Sequence, residues 1–259
     1  MQKYKNQIGS FFLLFTIFSS FAYSPVRVGL ISLPVSGTNL ADKAIKLILE
    51  PLGGWDRAIP GATEAYKGRA HQIGSHENIQ YALKNKVKII FNVRDPRDRV
   101  VSYAYKIKKF HPHLKQSIEN LSLEVIRNYG IVTYNYLTNI PFYRNMGDFS
   151  EYYQMYFPWL DYPDLLIVYF ENLVGPKGNG TKEKQVSELQ KIAQFLGVSL
   201  SIEQLEEIAD QLYGGTPSFR SPQIGFWKDY FTKEHKKAFK RTVMKQFLID
   251  FGYENDDIW

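Results

Sequence analysis

The 259-residue chain is 44% hydrophobic and 22% charged, the balance of a globular protein rather than a disordered one. It contains no cysteine, which excludes disulfide frameworks, thiolate zinc sites and cysteine nucleophiles. Lys and Arg number 32 against 26 Asp and Glu, and the resulting net charge of +6 suits an anionic ligand without calling for nucleic acid.

Lys3 and Lys5 precede an uncharged stretch from Gln7 to Val26, with a strongly apolar centre at Phe11–Phe18 and the small residues Ser20, Ala22 and Ser24 behind it. A basic start, a short apolar block and small residues predict a signal peptide over residues 1–24, cut after Ala22. The apolar block is shorter than the ~20 residues of a full membrane span. A signal anchor is the alternative use of the same segment, and the only membrane contact expected. The protein is therefore expected to be exported, with residues 25–259 forming one domain.

Val26–Leu33 reads as a buried strand, Pro34–Asn39 as a tight loop and Leu40–Leu49 as a helix. Gly and Pro make Pro51–Gly74 a loop. A short helix over His76–Asn85 leads to a second buried strand, Val87–Val93, closed by Arg94-Asp95-Pro96 before a helix over Arg97–Lys109. The aromatic stretch Leu114–Pro163 is predicted mostly helical. A third strand, Leu165–Phe170, is followed by a turn at Gly175–Gly180. Helices then follow over Lys182–Leu196, stopped by Gly197, over Ile202–Leu212, capped by Ser201, and over Lys233–Phe251. Strands separated by helices imply an α/β fold with a central parallel sheet flanked by helices in three layers.

Parallel sheets hold ligands at the carboxyl ends of their strands. Three segments there have anion-binding character. Pro34–Asn39 offers backbone N–H groups at a helix start, a glycine and hydroxyls, the parts of a phosphate cradle; the plain alternative is a turn capped by Thr38 or Asn39. It lacks the Gly-Lys-Ser/Thr ending of a Walker loop, which disfavours an ATPase or kinase. Arg94-Asp95-Pro96-Arg97-Asp98-Arg99 supplies guanidinium groups, with Ser102 further along the same helix; the alternative is a solvated helix start capped by Asp95. Ser218-Phe219-Arg220 and the aromatic run Gly225–Thr232 could fold over a nucleotide, or form a surface loop before a helix capped by Thr232.

Together the Ser-Gly-Thr loop after a strand, Arg-Asp-Pro-Arg-Asp with Ser102 after another, and the late Phe219-Arg220 with Gly225, Trp227-Lys228 and Phe231-Thr232 resemble the sulfotransferase family that uses PAPS (3′-phosphoadenosine 5′-phosphosulfate), in its bacterial and cytosolic form. Tyr169-Phe170-Glu171-Asn172-Leu173 resembles that family's Tyr-Glu-Asp-Leu strand end, with Phe170 at the tyrosine position. The resemblance implies a P-loop-like three-layer fold, PAPS as co-substrate, PAP as product, no metal, and a small-molecule or glycan acceptor. It places the 5′-phosphosulfate loop on Val35, Ser36, Gly37, Thr38 and Asn39, and the 3′-phosphate on Arg94, Ser102 and Arg220, with Phe219 beside the nucleotide. The general base falls on His71, in Arg69-Ala70-His71. Of the other histidines, His76 suits a helix start, while His111, His113 and His235 are expected to be solvated. Besides Phe170, the chain departs from the family at Ser221-Pro222, where the late Arg-Lys-Gly element keeps only Arg220, and at Val35, which stands where a Lys or Arg is usual. Arg69 is expected to supply the missing charge; otherwise the chain is a weak or inactive member that binds a nucleotide or glycan.

Overall fold

A computed structural model describes residues 26–50, 56–57, 73–113, 115–127, 130–135, 140–145, 153–215, 222–256 and 258–259. The predicted leader, Arg69, His71, Phe219 and Arg220 lie outside them. In chain order the elements are β1 (Arg27–Ser32), α1 (Thr38–Leu49), β2 (Asp56–Arg57), α2 (His76–Lys84), β3 (Lys88–Val93), α3 (Pro96–Phe110), α4 (Ile118–Arg127), β4 (Gly130–Asn135), β5 (Ile140–Asn145), β6 (Leu165–Tyr169), α5 (Phe170–Leu173), α6 (Lys182–Leu196), α7 (Ile202–Leu212), α8 (Lys233–Phe239) and α9 (Met244–Asp250).

Four strands pair in the order β2-β1-β3-β6, all parallel, with Ile31 beside Phe91 and Phe91 beside Ile167. Successive side chains of a strand point to opposite faces, and both faces of this sheet are covered. Leu30 and Ile90 enter a core with Ala44 and Ile45 of α1, Leu189 and Ile192 of α6, and Leu205 of α7. Ile31, Ile89, Phe91 and Val93 enter the opposite core with Val100 and Tyr103 of α3, Val125 of α4, Phe239 of α8 and Phe247 of α9. This is the expected three-layer α/β architecture.

Two expectations fail. The middle of the chain is not mostly helical: β4 and β5 form an antiparallel pair, Val132 opposite Tyr143. The run Ile131-Val132-Thr133-Tyr134 is β-branched and aromatic, the composition that suits a pleated strand. The final helix is broken in two between Phe239 and Met244. The Thr242 hydroxyl donates to the Phe239 carbonyl at 2.7 Å and accepts the Met244 N–H at 3.3 Å, closing one helix and opening the next.

Candidate active site

The β1–α1 connection is shaped from the neighbouring strand. Three successive loop carbonyls accept side-chain hydrogen bonds from one segment, β3 and the start of α3. Pro34 receives Arg99 Nε at 3.0 Å and Nη2 at 2.6 Å, Val35 receives Arg94 Nη1 at 3.2 Å, and Ser36 receives Asn92 Nδ2 at 2.8 Å. With these carbonyls held, the N–H groups of Gly37 and Thr38 head α1 with no acceptor among the described residues. Orphan N–H groups at the positive end of a helix dipole form an anion site. Gly37, rather than Thr38 or Asn39, is the residue before the helix, and the Thr38 hydroxyl turns inward to Ser32 Oγ at 2.9 Å.

Two residues of this loop are left-handed, Val35 at φ 60° and Gly37 at φ 85°. A β-branched residue rarely adopts that conformation, and holding it costs on the order of 1–3 kcal/mol. Gly37 has a second constraint: a Cβ there would lie 2.3 Å from Phe170 Cδ2. The Phe170 ring, at the end of β6, also carries the Arg94 guanidinium 4.3 Å from its centroid. Gly37, Phe170 and Arg94 thus form one packed stack. Around it, Ser36 Oγ, Arg94 Nε and Asn92 Oδ1 are buried without a partner among the described residues, two of them donors suited to an anion. Ser102 is half-buried on α3.

Behind Arg94 lies a cluster of buried charges. Asp95 caps α3, accepting the Arg97 N–H at 2.8 Å. Arg97 is ion-paired with Asp95 and Glu254 and lies between two indoles, 4.1 Å from the Trp227 centroid and 4.6 Å from that of Trp259. Asp98 accepts the backbone N–H of Gly225 and of Trp227, each at 2.8 Å. Burial pushes its carboxyl up to about 6, against the opposing pull of Arg94. Glu171 accepts the Asp95 N–H at 2.8 Å and the Tyr253 hydroxyl at 3.0 Å. Burial, reinforced by the Asp95 charge, pushes it up to about 7.

Glu171 therefore has a definite pH signature. A carboxyl whose folded-state pKa is raised contributes stability that is full below its unfolded value, 4.5, and is lost as the pH climbs through about 7. The wild-type protein is expected to lose about 3 kcal/mol from this group between pH 4.5 and 7.5, and Glu171→Gln to lose that share while keeping the part Asp98 contributes. Denaturant midpoints across that range test this; parallel profiles for the two proteins contradict it.

Among the rings of Gly225–Thr232, Trp227 is buried, and Phe226 and Tyr230 pack against Tyr105. Another expectation is corrected. His235 is not solvated but 1% exposed. Its Nδ1 accepts from the Thr232 N–H and hydroxyl, and its Nε2–H donates to the Glu119 carbonyl, which fixes a neutral tautomer and ties α8 to α4. Asn92 and Glu171 were not legible as site residues in the sequence, and Asp98 and Arg99 were read only as part of the Arg94–Arg99 run, with no partner assigned. Lys106, one turn beyond Ser102 on α3, is half-buried, and burial lowers its ammonium pKa.

A parallel sheet in which the β1–α1 loop and the end of β3 build an anion cradle defines an α/β protein with a candidate anion site at its strand ends. The chain belongs to the sulfotransferase domain family, which matches residues 69–251. No curated protein matches it in sequence. Among solved structures, it is similar to mouse sulfotransferase SULT7A1 complexed with PAP, at 18% identity and a TM-score of 0.58 over 86% of this chain and 84% of that one. Retinol dehydratase with androsterone and inactive cofactor PAP is similar at 16% identity and a TM-score of 0.52, over 87% and 82% of the two chains. The same enzyme with retinol and PAP gives 17% and 0.53, over 87% and 83%. At these identities the likeness is one of fold.

Proposed function

We propose that this protein transfers a sulfonyl group from PAPS to an acceptor hydroxyl or amine, with His71 as general base. The observation that carries the reading is the loop whose carbonyls are held by Asn92, Arg94 and Arg99, with the Gly37 and Thr38 N–H groups and the Ser36 hydroxyl left for an anion. The PAP in all three related structures supports the donor, and androsterone and retinol in two of them support a small-molecule acceptor. A glycan hydroxyl is the other acceptor class.

In the reaction the acceptor O–H gives its proton to His71 while its oxygen bonds to sulfur. The bond from sulfur to the bridging phosphate oxygen breaks, and its electron pair leaves with PAP. The cradle N–H groups and Arg69 offset the charge gathering on that oxygen. Arg94, Ser102 and Arg220 hold the 3′-phosphate, with Phe219 against the nucleotide.

Saturating PAP is expected to raise the melting temperature, with about 2.7 kcal/mol gained at a hundred times Kd. His71→Ala is expected to lower kcat for labelled-sulfate transfer by roughly 10²–10⁴-fold while leaving the Kd for PAP unchanged. An unmoved melting temperature overturns the donor assignment. Val35 favours one second reading, a member that binds PAP without turnover, because valine offers no cation beside the leaving group. PAP binding with no transfer to any acceptor would select it.

A further inference from the structure

Residues 228–245 hold seven Lys and Arg against two carboxylates, Asp229 and Glu234, and so carry five of the chain's six net positive charges. This stretch packs on α4 through His235, and between α4 and α8 opens a cleft of about 610 Å³. Its walls include Ile126 and Arg127 from one side and Lys233, Lys237, Ala238 and Arg241 from the other. Lys233 and Lys237, four apart on α8, lie about 6 Å from each other on one face, and Arg241, in the turn that follows α8, lines the same cleft. Glu234, the carboxylate in the wall, is already paired with Arg127. Among the described residues, no carboxylate pairs with these three cations.

Helix stability does not account for these cations. Like charges four apart repel, and Lys233 sits at the first position of α8, the positive end of the helix dipole. We propose that the cleft docks a linear acidic polysaccharide. Three cations spread along the cleft exceed what one small anion can engage. Among the described residues no aromatic ring lines the cleft, and these walls offer no platform for the stacked bases of a single-stranded nucleic acid. It is concave, which a planar lipid surface does not enter. Its described walls come from α4, α8 and the turn after α8, none of them a β-strand, and so give an acidic peptide no strand edge to pair with. A sugar chain with carboxylates or sulfates at regular intervals meets these cations while its hydroxyls stay in water. The cleft shares no residue with the phosphate loop, so the inference stands apart from sulfonyl transfer.

The test uses the full chain and heparin as probe, without PAP or PAPS. Heparin is expected to bind with an affinity that falls as salt rises. Combined Lys233→Ala, Lys237→Ala and Arg241→Ala should weaken it at least tenfold and flatten the salt dependence, and Lys237→Glu alone should act in the same direction. Combined Lys46→Ala, Lys84→Ala and Lys177→Ala, which removes the same charge elsewhere, should change affinity less than twofold. An equal loss in that control overturns the proposal, as does equally tight binding of oligo-dT, phosphatidylserine vesicles or polyglutamate.

Discussion

Gly37→Ala is expected to abolish PAP-induced stabilisation and to lower the protein's own stability by about 2–5 kcal/mol. Two costs combine. Alanine at φ 85° carries the left-handed penalty, and its Cβ meets the Phe170 ring at 2.3 Å, far inside contact distance. Relief requires the ring to move, yet that ring supports the Arg94 guanidinium, so backbone strain at the loop becomes misplacement of the anion-binding side chain. Calorimetric titration with PAP should show at least a hundredfold loss. Phe170→Leu in the same chain should recover part of the stability by making room. A Gly37→Ala protein that melts and binds PAP like the wild type would mean the cradle is not where the donor sits.

Asp98→Ala is expected to cost about 2–6 kcal/mol in urea unfolding, because it strands two buried N–H groups, those of Gly225 and Trp227, at roughly 1–3 kcal/mol each. Asp98→Asn keeps one acceptor and should fall between. The damage should also reach ligand binding, since Asp98 ties the first turn of α3 to the Gly225 turn, a few residues past the proposed Arg220. A loss under 0.5 kcal/mol would show that those amides find water instead.

The sequence made the sheet readable because β1 and β3 are buried on both faces and β6 packs against both cores, so that all three appear as continuous apolar runs. The hairpin did not stand out, since Ile131–Tyr134 sits in a stretch where aromatic residues recur at both strand and helix spacings. β2, two residues long, has no period to detect. His235 hid among lysines, although Phe239 four residues on marks the buried face of the same short helix. At the site, the Ser-Gly-Thr loop and Arg94 were legible from their places just after strands. The residues that hold them were not. Asn92 looks like one polar interruption in a strand and Arg99 like helix-surface charge. Their partners lie 56 and 65 positions away, and Trp227 lies 129 from Asp98, distances over which no local pattern carries information.

The clamp on the Pro34, Val35 and Ser36 carbonyls has a thermodynamic corollary. A glycine-containing turn left to itself samples many shapes, and a ligand that selects one must offset the lost entropy out of its own affinity. Here three side chains from a single β-strand and helix start have already fixed the shape, so the loop proposed to hold the donor's phosphate need not be ordered at the ligand's expense.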